Sequence, residues 1–186
     1  LLSWTPMSTN SEEHVILVDA EDNALGLMNK MEAHEKGALH RAFSIFIFNS
    51  DGRWLLQRRA LDKYHSPGLW SNTCCSHPRQ DESVIEAGIR RLNEEMGMYC
   101  QIEPQFHFTY RCNLPNGLIE HELDHVLVGY SDKTPHLNSK EVSDYKYITT
   151  EQLEQEMQAF PDRFSVWFKL CFHRVRNRFS EMERLR

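Results

Sequence analysis

Residues 82–97 read Glu82-Ser83-Val84-Ile85-Glu86-Ala87-Gly88-Ile89-Arg90-Arg91-Leu92-Asn93-Glu94-Glu95-Met96-Gly97. Ile85, Ile89, Leu92 and Met96 recur at spacings of four, three and four, which predicts a helix over 82–96 with one narrow apolar stripe. Gly97 sits where a left-handed C-cap glycine belongs. Arg91 and Glu95 fall one turn apart on one flank of the stripe. Gly88 lies between flank and stripe, where a missing Cβ permits close backbone approach. By itself such an Arg–Glu pair is a surface ion pair worth a few tenths of a kcal/mol. The helix alone therefore assigns no chemistry.

Outward from this helix, apolar runs predict strands. Residues 15–18 form a short β-branched run, and 42–48 a strongly apolar strand turned by Asn49-Ser50-Asp51-Gly52. Residues 53–59 return as a second strand, so the two are expected to form a hairpin. Residues 61–69 contain Ser66-Pro67-Gly68 and read as loop. Strands follow over 106–112, 118–130 and 145–148, then a helix from Thr150. After Pro161, Phe164, Phe168, Cys171 and Val175 mark a last amphipathic helix. Strands flanked by helices make the chain α/β or α+β. No repeat or linker interrupts 12–186, which reads as a single compact domain behind a disordered extension, 1–11.

Composition narrows the function classes. The 186 residues carry 21 Lys+Arg and 27 Asp+Glu, a net charge of −6, which argues against a general nucleic-acid binder. No run of about 18 apolar residues is present to cross a membrane, and residues 1–11 lack the pattern of a signal peptide. Five cysteines at spacings that suggest no disulfide framework favour a reduced, cytoplasmic setting.

Three constellations carry chemistry. In Asn72-Thr73-Cys74-Cys75-Ser76-His77-Pro78, an extended backbone turns Cys75 and His77 to one side and Cys74 to the other. A thiol near cations or a metal acts as acid, base or nucleophile, although a buried structural cysteine is the commoner fate. In Gly117-Leu118-Ile119-Glu120-His121-Glu122-Leu123, the two carboxylates share a strand face, which is costly unless a cation or shared proton relieves them. A solvated strand face is the plainer alternative. His34 and His40 precede the apolar strand; with His77, Glu120 and Glu122 they offer three nitrogens and two oxygens. That donor set suits a divalent ion with octahedral preference, rather than a closed tetrahedral zinc site.

Ser76-x5-Glu82-x7-Arg90-Arg91-Leu92-x-Glu94-Glu95-x-Gly97 resembles the Nudix box, a loop–helix–loop that binds divalent metal and diphosphate compounds. Ser76 stands where the box usually has Gly, and Arg91 where the hydrolases carry a metal-binding Glu. The second departure weakens the case for a diphosphate hydrolase and suits holding a diphosphate intact. Together with His34, His40-Arg41-Ala42-Phe43-Ser44, Gln57-Arg58-Arg59, the Cys75 segment and Glu120-His121-Glu122, the chain resembles the type I isopentenyl diphosphate isomerase family over residues 14–179.

The resemblance implies a Nudix-like mixed β-sheet flanked by helices. It also implies interconversion of isopentenyl and dimethylallyl diphosphate by protonation and deprotonation. By the same resemblance, Cys75 and Glu122 are the catalytic pair on opposite faces of the substrate, assisted by Tyr110. His34, His40, His77, Glu120 and Glu122 match the ligands of a bound Mn²⁺, Zn²⁺ or Mg²⁺, and Glu95 a ligand of a second, substrate-associated Mg²⁺. Lys30, Arg59, Lys63 and Arg91 match diphosphate contacts, and Trp167 an aromatic facing the carbocation. For Lys30 and Lys63 solvated surface lysine, and for Trp167 a core aromatic, are the plainer alternatives. The implied partner is the small allylic or homoallylic diphosphate, with no nucleic acid or membrane, and the chain a monomer or weak homodimer. A net negative total thus hides a local excess of cations.

Overall fold

Every side chain from Ala42 to Phe48 is buried, so this segment cannot be an edge strand. The computed structural model describes residues 13–184; the extension read over 1–11 lies outside them. In chain order these residues form β1 (His14–Val18), β2 (Ala24–Asn29), α1 (Lys30–Lys36), β3 (His40–Phe48) and β4 (Trp54–Arg59). Next come β5 (Trp70–Ser71), β6 (Cys74–Ser76), α2 (Val84–Met96), β7 (Ile102–Asn113) and β8 (Ile119–Tyr130). β9 (Val142–Ile148), α3 (Thr150–Ala159), a 3₁₀ turn (Pro161–Arg163) and α4 (Val166–Arg184) complete the fold.

The expected hairpin is only partly realised. β3 and β4 pair at Ile47↔Leu55 and Phe48↔Trp54 and then diverge. β3 instead runs parallel to β8 from His40↔Glu122 to Phe48↔Tyr130, while β4 pairs with β9 and β5. A strand apolar on both faces gains more from two neighbours and two covering layers than from one tight hairpin. Its alternation feeds both layers: Phe46 and Phe48 pack with Trp54, Phe168 and Phe172 of the α4 side, and Ile45 and Ile47 with Leu92 and Met96 of α2.

α2 begins at Val84 behind a capping box, Ser83 accepting from the Glu86 N–H and Glu86 from that of Ser83. Its buried face is Ala87, Gly88, Leu92, Glu95 and Met96, and Ile85 is left 38% exposed. The predicted stripe is thus rotated toward the Arg91–Glu95 flank. The reason is Gly88, whose bare Cα faces Ile102 and Leu127; a Cβ there would lie 2.7 Å from Ile102 Cδ1. β2 and α1 have no counterpart in the sequence reading, since residues 24–27 are all exposed and α1 is too short to show a period. Asn29 caps α1, its side chain accepting from the Met31 and Glu32 N–H groups.

Gly97 ends α2 at φ 61°, and a Cβ would lie 2.5 Å from the His136 carbonyl oxygen. Gly97→Ala is therefore expected to cost about 2 kcal/mol in denaturant unfolding, from left-handed strain and a backbone clash. Gly88→Ala is expected to cost less, because only flexible side-chain ends must move and the helix gains about 1 kcal/mol of propensity.

Candidate active site

β6 lies against β3 with Ser44 opposite Cys75. The pleat sends Cys74 into the core beneath α2 and Cys75 to the other face, as the alternation predicts. The Cys75 thiol donates to Asn72 Oδ1 at 2.9 Å and accepts from Trp167 Nε1–H at 3.1 Å. Burial, reinforced by the nearby Asp124 charge, pushes the thiol up to about 12, so it is held as a neutral thiol.

On β8, Glu120 and Glu122 share one buried face. Tyr110, opposite Glu122 on β7, donates its hydroxyl to Glu122 Oε2 at 2.7 Å. His77 Nε2 lies 3.0 Å and His40 Nε2 3.5 Å from Glu122 Oε1. His40 Nε2 and His77 Nε2 are 3.2 Å apart, and His34 Nε2 is 3.6 Å from Glu120 Oε2.

The ring tautomers make this a metal-ready cluster. His34 Nδ1 must donate to the Lys30 carbonyl at 2.7 Å and His40 Nδ1 to that of Ala38 at 2.8 Å, since a carbonyl only accepts. In the neutral rings both Nε2 atoms then present lone pairs to the centre, with two carboxylates beside them. Buried His34 Nε2 and Glu120 Oε2 have no hydrogen-bond partner. Burial pushes His77 down to about 4, keeping it a neutral donor. Burial alone would raise Glu122, but contact with His40 and His77 holds it well below the carboxylate range. Glu120 is raised, by burial and by the charge of Glu122. The site thus demands positive charge among the ring nitrogens, and a divalent cation provides it without a proton on any Nε2. His34, His40, His77 and Glu122 form one group of donors close enough to share an ion, and His34, His65 and Glu120 a second joined to it through His34.

Lys30, Arg59, Lys63 and Arg91 line the same pocket as Cys75, Tyr110, Glu120, Glu122 and Trp167. Most are already paired. Lys30 holds Glu13 at 2.7 Å, Lys63 holds Glu141, and Arg91 Nη2 holds Glu95 Oε1 at 2.5 Å. Arg59 donates to the Ser66 and His65 carbonyls and stacks 5.2 Å from the Trp167 ring. Glu95 stands on the pocket wall apart from both donor groups, its second oxygen accepting from Gln57 Nε2 at 2.8 Å.

Two residues of the site escaped the sequence reading. His65, in the segment read as plain loop, is buried with Nε2 3.4 Å from Glu120 Oε1, and burial pushes it down to about 3. No periodicity marks it. Asp124 accepts from Ser44 Oγ at 2.8 Å and is raised by burial and by Glu122. Its signal was present, because the two-residue spacing of Glu120 and Glu122 extends to it.

A NUDIX domain matches residues 38–168. The fold agrees: a crystal structure of DR0079 from Deinococcus radiodurans superposes with a TM-score of 0.71 at 22% identity, covering 87% of this chain and 98% of that one. The MutT protein from Methanosarcina mazei superposes at 0.59, with 21% identity over 78% of this chain and 95% of its own. Among curated proteins, the isopentenyl-diphosphate Delta-isomerase of Pectobacterium atrosepticum is 53% identical over 87% of this chain and 90% of its own length. Isopentenyl-diphosphate Delta-isomerase 2 of Aromatoleum aromaticum is 51% identical over 88% and 87%. The chain is a NUDIX-domain protein, and within that class it belongs to the isopentenyl-diphosphate Delta-isomerase family.

Stripping divalent ions with a strong chelator is expected to lower the melting temperature and adding back a divalent ion to raise it again, the ion contributing about 2.7 kcal/mol of unfolding free energy at a hundredfold excess over its dissociation constant. Metal-free Glu120→Gln is expected to be no less stable than the metal-free parent, since one of two like charges is gone, and to gain less from added metal.

Proposed function

We propose that the chain interconverts isopentenyl and dimethylallyl diphosphate, the reaction its relatives are named for. The observation that carries this is one pocket lined by a half-buried thiol, a tyrosine-bound carboxylate and four cationic side chains. Proton addition at the terminal methylene carbon gives a tertiary cation, and loss of a proton from the carbon next to the diphosphate-bearing one leaves the new double bond. Cys75 and the Glu122–Tyr110 pair are the two proton-handling groups, one giving and the other taking, with roles exchanged in reverse. Tyr110 orients Glu122 through its 2.7 Å hydrogen bond. Trp167, beside Cys75, offers its ring face to the cation. Lys30, Arg59, Lys63 and Arg91 hold the diphosphate, whose binding energy orients the alkene.

His34, His40, His77, Glu120 and Glu122 would hold a divalent ion, Mn²⁺, Zn²⁺ or Mg²⁺, which supplies the charge that keeps two carboxylates together and tunes Glu122. Glu95 would meet the Mg²⁺ that accompanies the substrate diphosphate. The five cysteines are free thiols, in keeping with a reducing cytoplasm.

The alternative, a Nudix-type diphosphate hydrolase, draws on the Glu82, Arg90, Glu94 and Glu95 arrangement of α2 and its approach. Arg91, tied to Glu94 and Glu95, speaks against it. Incubation with isopentenyl diphosphate and Mg²⁺ is expected to yield the dimethylallyl isomer with no phosphate release; phosphate without isomer would overturn the assignment. Cys75→Ser is expected to lower turnover about 10²–10⁴-fold with the fold retained. Cys74→Ser should leave turnover per folded molecule near normal and cost about 1–3 kcal/mol of stability, because it buries a hydroxyl.

A further inference from the structure

We infer that Asn72 is the positioning residue that fixes the hydrogen-bond polarity and orientation of the Cys75 sulfur. The inference rests on the isomerase reading for its consequence in turnover, but its geometry stands independently. Asn72 is fully buried. Its Nδ2 lies 3.1 Å from the Ile45 carbonyl and 2.9 Å from that of Cys74. Its Oδ1 lies 2.9 Å from Ser71 Oγ and 2.9 Å from Cys75 Sγ.

This arrangement admits one amide orientation. A flipped amide would set its oxygen against two carbonyl oxygens, which cannot donate, and lose both backbone hydrogen bonds. Oδ1 therefore faces the sulfur as an acceptor, and the thiol must be the donor. Trp167 Nε1–H, at 3.1 Å, fills an acceptor direction of the same sulfur, and Ser44 Oγ lies 3.8 Å away. The sulfur is thus held from three sides by β3, the β5–β6 segment and α4.

The lock extends to the aromatic wall of the pocket. Ser71 Oγ also pairs with Ser165 Oγ at 2.9 Å, and Ser165 immediately precedes the helix that carries Trp167. Asn72 thereby couples the placement of the thiol to that of the ring. It touches no reacting atom; it acts through Cys75. Without it the side chain gains freedom to rotate, and small misplacements of a proton-transfer group are costly in rate.

The test reads the S–H stretching band of the substrate-free protein, assigned to Cys75 by difference from Cys75→Ala. A thiol that donates a hydrogen bond absorbs at lower frequency than a free one. Asn72→Ala is expected to shift the band upward and to lower kcat about tenfold or more with KM little changed. An unmoved band, or an unchanged kcat in folded Asn72→Ala, would overturn the inference. Should Asn72→Ala fail to fold, Ser71→Ala decides: removing the competing donor to Oδ1 is expected to strengthen the thiol bond and shift the band downward, and an unmoved band overturns the inference. An inactive wild-type protein with the predicted band shifts would instead count against the isomerase reading alone.

Discussion

Two carboxylates, Glu120 and Glu122, sit buried on one face of β8, and the rest of the site is arranged around the cost of that placement. Like charges at close quarters in a low-dielectric interior are tolerated only with compensating positive charge or a proton on one of them. Four histidines from separate parts of the chain meet them: His34 from α1, His40 from the start of β3, His65 from the loop between β4 and β5, and His77 just after β6. Backbone carbonyls fix the tautomers of His34 and His40 so that lone pairs, not protons, face the centre. The parallel pairing of β3 with β8 sets His40 opposite Glu122, which makes sheet register a condition for the cluster.

The same register places Cys75 and Glu122, the two groups proposed to handle protons. β6 lies on one side of β3 and β8 on the other, so Cys75 and Glu122 reach the pocket from flanking strands. The two environments differ in kind. Burial and Asp124 keep the thiol neutral, while positive charge at the His40 and His77 nitrogens, from a proton or a divalent ion, holds Glu122 well below the carboxylate range. Groups pushed to opposite protonation states across one pocket suit a reaction that adds a proton and removes another. The cationic wall contributed by Arg59, Lys63 and Arg91 stands beside them, and α2 presents Arg91 to the pocket, tied to Glu95.

Much of this was legible in the sequence, for specific reasons. Cys75, Glu120 and Glu122 lie on strands, and His77 directly follows one, so a period of two states which side chains share a face. The Arg91–Glu95 pair followed from helical spacing, although the true buried face of α2 is rotated toward it because Gly88 lets Ile102 and Leu127 approach. What stayed hidden has no local period. His65 belongs to an irregular loop, and its approach to Glu120 depends on chain folding some fifty residues apart in sequence. α1 is too short to show a stripe, and β2 is exposed along most of its length, so it shows no alternation. The divergence of β3 from β4 depends on β8 and β9, which a turn motif cannot foresee.

The central claim is that the pocket adds a proton to an alkene and leaves the diphosphate whole. Turnover of isopentenyl diphosphate in D₂O, followed by NMR, tests it most directly. The account predicts deuterium in a methyl group of the dimethylallyl product, no free phosphate, and loss of label in Glu122→Gln. Dimethylallyl product formed without solvent deuterium, or cleavage of the diphosphate in place of isomerisation, would contradict it.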